Sequence, residues 1–248
     1  VTNKRGQVYF LNLPPPFLKV NCINRRLSCT GKAAYPVSTM KKYDDRMNEL
    51  PSSLHEERLA AVIGVLRSSG AESVLDLGCG AGELLRRLAG ESQFKRMVGL
   101  ETSQEALAAA RQLLWLDRET RQRRIGLYYG SFTSFMEELA DFDAAVLLET
   151  IEHIPPNRLS LVEKAIFAGY RPETVIVTTP NLEYNPLHGI PQGMFRHQDH
   201  KFEWTRVKFR KWAEGTARRN GYTVAIEAIG AADPQFGSST QMAVFSGL

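Results

Sequence analysis

The run Glu149-Thr-Ile-Glu152-His153 places three side chains able to bind a metal ion or move a proton within one short stretch. It directly follows the apolar run Ala144 to Leu148, so the carboxylates and the imidazole stand at the end of a predicted strand. A bend there would let all three converge. A second group, Phe195-Arg-His197-Gln-Asp199-His200-Lys-Phe-Glu203-Trp204, holds two of the chain's five histidines. No cysteine lies near either group, which argues against a thiolate zinc site. Two carboxylates and two imidazoles suit Mg²⁺, Mn²⁺ or Fe²⁺, with positions left open for substrate oxygens. On spacing alone a bland reading also stands. Glu152 and His153 would serve as a first-turn acid and a capping histidine, and His200 as a surface or core histidine.

A third group is Asp76-Leu-Gly78-Cys-Gly80-Ala-Gly82, which follows the apolar run Ser73 to Leu77. Glycine permits a tight strand-to-helix turn and a close approach of a ligand to the backbone. Glu101 ends the next predicted strand, where a carboxylate can accept both hydroxyls of a ribose. A dinucleotide fingerprint would need glycine at position 83, which is Glu83, and a pyrophosphate would sit poorly beside Asp76. A ligand with a ribose and no phosphate, such as S-adenosyl-L-methionine, fits better. The cofactor-binding candidates are Asp76, Gly78, Gly80, Glu101, Thr102 and Ser131, with Ser131 read as a partner for the adenine edge or as an ordinary turn serine.

These residues need a scaffold, and the hydropathy pattern supplies one. Strands are predicted at Ser73–Leu77, Met97–Leu100, Ile125–Tyr129, Ala144–Leu148, Val175–Thr178, Thr223–Ile229 and Gln241–Phe245. Helices are predicted around Leu59–Leu66, Leu84–Leu88, Gln104–Leu116, Leu159–Ile166 and Val207–Arg219, and residues 181–205 form a polar excursion rich in histidine and aromatics. The alternation implies an α/β fold with a mostly parallel, doubly wound sheet and an antiparallel pair at one edge. In such sheets ligands sit beyond the carboxyl ends of the strands, which is where all three groups lie.

The chain has 248 residues, 43% of them hydrophobic and 23% charged, with a net charge of +4. That balance excludes an acidic disordered solvator and a heavily basic coat protein, and permits nucleic-acid binding through a local patch. Cys22, Cys29 and Cys79 are too widely spaced for a disulfide framework, so a reducing, cytoplasmic setting is expected. The early apolar stretch Val8 to Leu13 is broken by Asn12, stopped by Pro14-Pro15-Pro16, and too short to span a bilayer. Residues 1–45 read as an N-terminal extension, partly disordered, ahead of a single domain over 46–248.

At Leu75–Gly82, Glu149–His153, Thr178–Asn185 and Asp199–Arg206 the sequence resembles the Hua-enhancer family of RNA 3′-terminal 2′-O-methyltransferases, in its bacterial type. The resemblance runs from about Leu54 to Phe245. It implies a Rossmann-like class I S-adenosylmethionine-dependent methyltransferase with a seven-stranded sheet. It also implies a divalent metal, Mg²⁺ or Mn²⁺, held by Glu149, Glu152, His153 and His200, which are then the catalytic set. His197 falls outside the family's ligand positions and is a candidate proton acceptor or a surface histidine. The implied reaction moves the cofactor's methyl group to the 2′-hydroxyl of an RNA whose 3′ end is a free 2′,3′-diol, in RNA repair beside a kinase–phosphatase–ligase partner or in small-RNA stabilisation.

Two basic runs are candidates for RNA phosphates: Arg111, Arg118, Arg121, Arg123 and Arg124, which also read as a solvated helix end, and Arg196, Lys201, Arg206, Lys208, Arg210 and Lys211. Phe195, Phe202 and Trp204 are candidates to stack a terminal base. The alternatives are a metal-dependent small-molecule O-methyltransferase acting on a catechol-like diol, and a non-catalytic RNA-end binding module.

Overall fold

A computed structural model of the chain describes residues 53–115 and 124–248. The extension read over residues 1–45 lies outside them, as do Cys22 and Cys29. The element order is α1 (Ser53–Ser69), β1 (Ser73–Leu77), α2 (Glu83–Leu88), β2 (Arg96–Glu101), α3 (Gln104–Leu114) and β3 (Ile125–Tyr129). It continues with β4 (Ala144–Leu148), α4 (Leu159–Glu163), β5 (Thr174–Pro180), α5 (Arg206–Asn220), β6 (Tyr222–Ile229) and β7 (Thr240–Gly247).

The seven strands form one sheet in the order β3-β2-β1-β4-β5-β7-β6. The first five pair in parallel. β7 is antiparallel to both β5 and β6, so the last two strands make the expected edge pair with β7 inside. The strand order reverses between β1 and β4, and the crevice beyond their carboxyl ends is where an open α/β sheet binds its ligand.

Burial explains the run-like strand sequences. β5 is buried at all seven positions and β1 at its last four, because helices cover both faces of the sheet. One face packs Leu75, Leu77, Val98, Leu147 and Val177 against α4 and α5 residues such as Val162 and Phe209. The other packs Val74, Met97, Val146 and Ile176 against Leu59, Leu66, Leu85 and Leu107 of α1, α2 and α3.

Local signals set the ends that matter for the site. Ser103 Oγ accepts the Ala106 N–H at 3.1 Å and starts α3. Thr205 Oγ1 accepts the Lys208 N–H at 3.3 Å and starts α5. The periodicity of Leu159, Val162 and Ile166 predicts a plain α-helix. Instead, α4 widens into a π-helical turn over Lys164–Tyr170, closed by the Arg171 N–H bonding the Ile166 carbonyl at 2.8 Å. The excursion after β5 begins with 3₁₀ turns over Leu182–His188. Its two ends meet where the Leu182 N–H donates to Trp204 O at 3.1 Å, and Gln241 of β7 ties that carbonyl to the sheet by donating to it at 2.9 Å.

Candidate functional site

The glycine turn after β1 builds one half of the site. Gly78 has φ +84°, and a Cβ there would stand 2.6 Å from Thr150 Cγ2, so only glycine fits. The Gly78 and Cys79 amides donate to Leu100 O at 2.8 and 3.2 Å, locking the turn against the end of β2. Glu101 is held as firmly. Its Oε2 accepts the Gly80 N–H at 3.1 Å, and its Oε1 accepts the Thr102 and Ser103 N–H groups at 2.6 and 2.8 Å. The Thr102 and Ser103 donors stand at the start of α3, where a negative charge is favoured. Behind the turn Asp76 is 2% exposed. Burial, then the nearby Glu101 charge, pushes its carboxyl up to about 7.

A cleft of about 420 Å³ opens beyond these residues. Gly78, Glu101, Thr102 and Ser131 line it, together with Glu149, Thr150 and His153. Asp76 and Gly80 support the turn without lining the cleft. Ser131 closes its own turn: its hydroxyl is 2.8 Å from Thr133 Oγ1 and accepts the Thr133 N–H at 3.2 Å.

The second half begins where β4 ends. Glu149 has φ +53°, an unusual conformation for a residue with a Cβ. It is pinned by its N–H donating to Thr178 Oγ1 at 2.9 Å. Its Oε2 pairs with Arg58 of α1 at 2.9 Å, while its Oε1 is buried without a partner. Glu152 is fully buried; its Oε2 accepts from Thr179 Oγ1 at 3.0 Å and its Oε1 has no partner. Burial raises both carboxyls, and for Glu152 the Glu149 charge adds to it.

His153 ends a 3₁₀ turn, and partial burial followed by the fields of His200 and His197 lowers its pKa, favouring the neutral imidazole. His200 Nδ1 lies 2.6 Å from Glu203 Oε1. The buried Glu203 also accepts the Arg196 N–H at 2.7 Å and Asn185 Nδ2 at 2.5 Å. Burial alone would raise the Glu203 carboxyl, but the bonds from His200, Asn185 and Arg196 hold it below the usual value. Among the described residues, the donor nitrogens of His153, His197 and His200 all lie within 4.8 Å of one another.

These groups fit a divalent cation. Two carboxylate oxygens are buried without partners, one on Glu149 and one on Glu152, and an unpaired buried acceptor is costly. The histidine nitrogens converge in a group that includes neither glutamate, so the structure does not bring the four expected ligands into one cluster, and His200 is oriented by a buried carboxylate, as metal-binding histidines are.

Several residues take other roles than the sequence suggests. Phe202 and Trp204 are buried and stack on each other at 4.2 Å between centroids, so they belong to the core and cannot stack a base. Phe195 is exposed. Arg196 spends its guanidinium inside the fold, donating to Asn185 Oδ1, Ser239 Oγ and Asn181 O at 2.6, 2.9 and 2.6 Å. Arg206 pairs with Glu183 at 2.5 Å. Lys208 reaches over the Trp204 ring, its ammonium 5.5 Å from the centroid. In the first basic run, Arg124 caps the Glu91 and Phe94 carbonyls, and Arg118, Arg121 and Arg123 lie outside the described residues. Sequence reasoning missed Arg58, Asn185 and the buried role of Glu203. No spacing signal links Arg58 to Glu149, because α1 and the end of β4 meet only in the fold.

Residues 74–173 match the family model described as a methyltransferase domain. A solved structure of the methyltransferase domain of bacterial CtHen1 is 43% identical, with a TM-score of 0.72 over 78% of this chain and 98% of that one. The chain belongs to the Hen1 family. Among curated Hen1-type relatives, the small RNA 2′-O-methyltransferase of Xenopus tropicalis is 34% identical over 78% of this chain and 54% of its own length. The protein of the same name from Arabidopsis thaliana is 31% identical over 77% of this chain and 22% of its length. The chain thus spans about half, or less, of these curated relatives. The structure titled the Pnkp1/Rnl/Hen1 RNA repair complex, 20% identical with a TM-score of 0.58, shares the fold.

Proposed function

We propose that this chain transfers a methyl group from S-adenosyl-L-methionine to the 2′-hydroxyl of the 3′-terminal nucleotide of RNA. The observation that carries the reading is the shared lining of the cleft. Glu149 and His153 of the carboxylate–imidazole group line the same cavity as Gly78 and Glu101 of the glycine turn. A methyl donor and a chelated acceptor would therefore meet across a few ångströms. The names of the Hen1 relatives supply the substrate class.

In this reading Glu101 accepts the cofactor's ribose hydroxyls, and Gly78 lets the cofactor approach the backbone. Glu149, Glu152, His153 and His200 would hold a divalent ion, Mg²⁺ or Mn²⁺. When bound, such an ion supplies Lewis acidity that makes a ribose hydroxyl easier to deprotonate. The protein's own part is orientation. Thr178 and Thr179 fix the two glutamates, Glu203 fixes His200, and the positioned groups select an RNA end with a free 2′,3′-diol. The exposed cations Lys201, Lys208, Arg210 and Lys211 would contact RNA phosphates. We place the activity in the cytoplasm, in RNA repair beside a kinase–phosphatase–ligase partner; no described helix is long and apolar enough to cross a membrane.

A transfer assay with labelled cofactor, offering a short RNA and a catechol in parallel, tests the substrate class. Label on the RNA alone is expected, and label on the catechol alone would replace the RNA reading with a small-molecule one.

A further inference from the structure

The loop after β3 carries Gly130, Ser131 and Phe132 into the lining of the cleft. Its upstream end is fixed to β2, where the Gly130 N–H donates to Glu101 O at 3.0 Å, and its turn closes with the Ser134 N–H on Ser131 O at 3.1 Å. Its downstream end is held by a side chain from another element. The Tyr170 hydroxyl donates to Ser134 O at 3.3 Å and accepts the Met136 N–H at 3.1 Å. The Tyr170 side chain is buried, and its ring lies 5.0 Å from the Phe135 ring between centroids. We infer that Tyr170 is a positioning residue for the cofactor, its hydroxyl setting the loop that presents Ser131 and Phe132 to the cleft. This rests on the cofactor placement of the preceding section and adds to it a residue outside the cleft lining.

The helix is shaped for the contact. Tyr170 is the last residue of the π-helical turn after α4. Such turns are rare and occur frequently at functional sites. Beside Tyr170 in that turn, a Cβ on Gly169 would stand 2.8 Å from Phe135 Cδ2, so glycine lets the Phe135 ring reach the helix. Burial raises the Tyr170 pKa, and the phenol keeps the proton it donates to Ser134 O. Removing the hydroxyl deprives one carbonyl and one amide of the loop of this partner. The loop then populates other arrangements, and the apparent affinity for the cofactor falls with the fraction that stays in place.

The test is calorimetric titration of the full chain with S-adenosyl-L-methionine, comparing the wild type with Tyr170→Phe, Tyr222→Phe and Glu101→Gln. Tyr222 is the control for a merely structural loss, because its buried hydroxyl donates to Pro172 O at 2.7 Å and not to the loop. Thermal melts should show similar, modest losses for the two phenylalanine variants. Tyr170→Phe should bind the cofactor about five- to tenfold more weakly, and Tyr222→Phe as the wild type does. Amide exchange over residues 130–136 should quicken in Tyr170→Phe alone. In methyl transfer to a short RNA, Tyr170→Phe should raise the cofactor KM by the same factor and leave kcat at saturation unchanged. If Glu101→Gln weakens binding while Tyr170→Phe does not, the positioning role is overturned and the cleft stands. Equal weakening by both phenylalanine variants overturns it as well. If Glu101→Gln binds the cofactor as tightly as the wild type, the cofactor lies elsewhere, and both readings fall.

Discussion

His200 Nδ1 lies 2.6 Å from Glu203 Oε1, and both side chains are shielded from solvent. A carboxylate so placed accepts the Nδ1 proton and leaves the Nε2 lone pair available to a cation, so Glu203 decides what His200 can do. Replacing Glu203 by glutamine keeps the shape and removes the charge. We expect the variant to bind Mn²⁺ about 10- to 100-fold more weakly and to bind S-adenosylmethionine as before. Calorimetric titration with each ligand checks both halves of that expectation.

The Arg58–Glu149 pair links α1 to the end of β4 at 2.9 Å, with both side chains mostly buried. Arg58→Met would leave the Glu149 carboxylate with no partner for either oxygen. Breaking such a pair costs about 3 kcal/mol, read as a lower urea midpoint for the metal-free protein. Saturating divalent ion should recover part of the loss by neutralising Glu149. An unchanged midpoint would show that the pair does not hold the carboxylate in solution.

Asp76 gives the stability a defined pH dependence. Burial and the Glu101 charge raise its carboxyl to about 7, from 3.8. A raised acid stabilises the fold in its protonated form: the contribution is complete below about 3.8 and is lost as the pH rises through about 7. Asp76→Asn should therefore raise the unfolding temperature of the cofactor-free protein at pH 8, by an amount equivalent to at most roughly 4 kcal/mol. The gain should shrink steadily toward pH 4. Scanning calorimetry across that range checks the sign and the trend.

Gly78 tests the turn. An alanine there meets Thr150 Cγ2 at 2.6 Å and sits at φ +84°. The left-handed backbone alone costs about 1–2 kcal/mol, and relief of the clash pushes Thr150 into the cleft. Gly78→Ala should lose cofactor affinity out of proportion to its fall in melting temperature, measured by calorimetric titration and a thermal melt.

Much of this site was legible because its parts are local in sequence. Gly78, Glu101 and the Glu149–His153 run each announce a strand end, and the sheet brings strand ends together. The supporting contacts are not local. Arg58 reaches Glu149 from the first described helix, and Asn185 reaches Glu203 across the excursion. Phe202 and Trp204 were misread because one polar-flanked aromatic run gives no sign of which side faces the core; the bridge between Asn181 and Trp204 turns it inward. Arg196 was misread for a similar reason, since a charge pattern does not reveal buried acceptors such as Asn181 O and Asn185 Oδ1. The π-helical turn after α4 eluded the pattern because Leu159, Val162 and Ile166 fit an ordinary helix equally well.

The central claim is that Glu149, Glu152, His153 and His200 direct the methyl group to the terminal 2′-hydroxyl. It is tested most directly by periodate treatment of RNA after incubation with this chain, S-adenosylmethionine and Mn²⁺. Periodate cleaves a free 2′,3′-diol and spares a 2′-O-methylated end. The account predicts that RNA with a 3′-hydroxyl becomes periodate-resistant and that Glu152→Ala abolishes the protection. It also predicts that a 3′-phosphorylated or 2′-deoxy end takes up no methyl label. Equal labelling of 3′-phosphorylated and 3′-hydroxyl RNA, or full protection by Glu152→Ala, would contradict it.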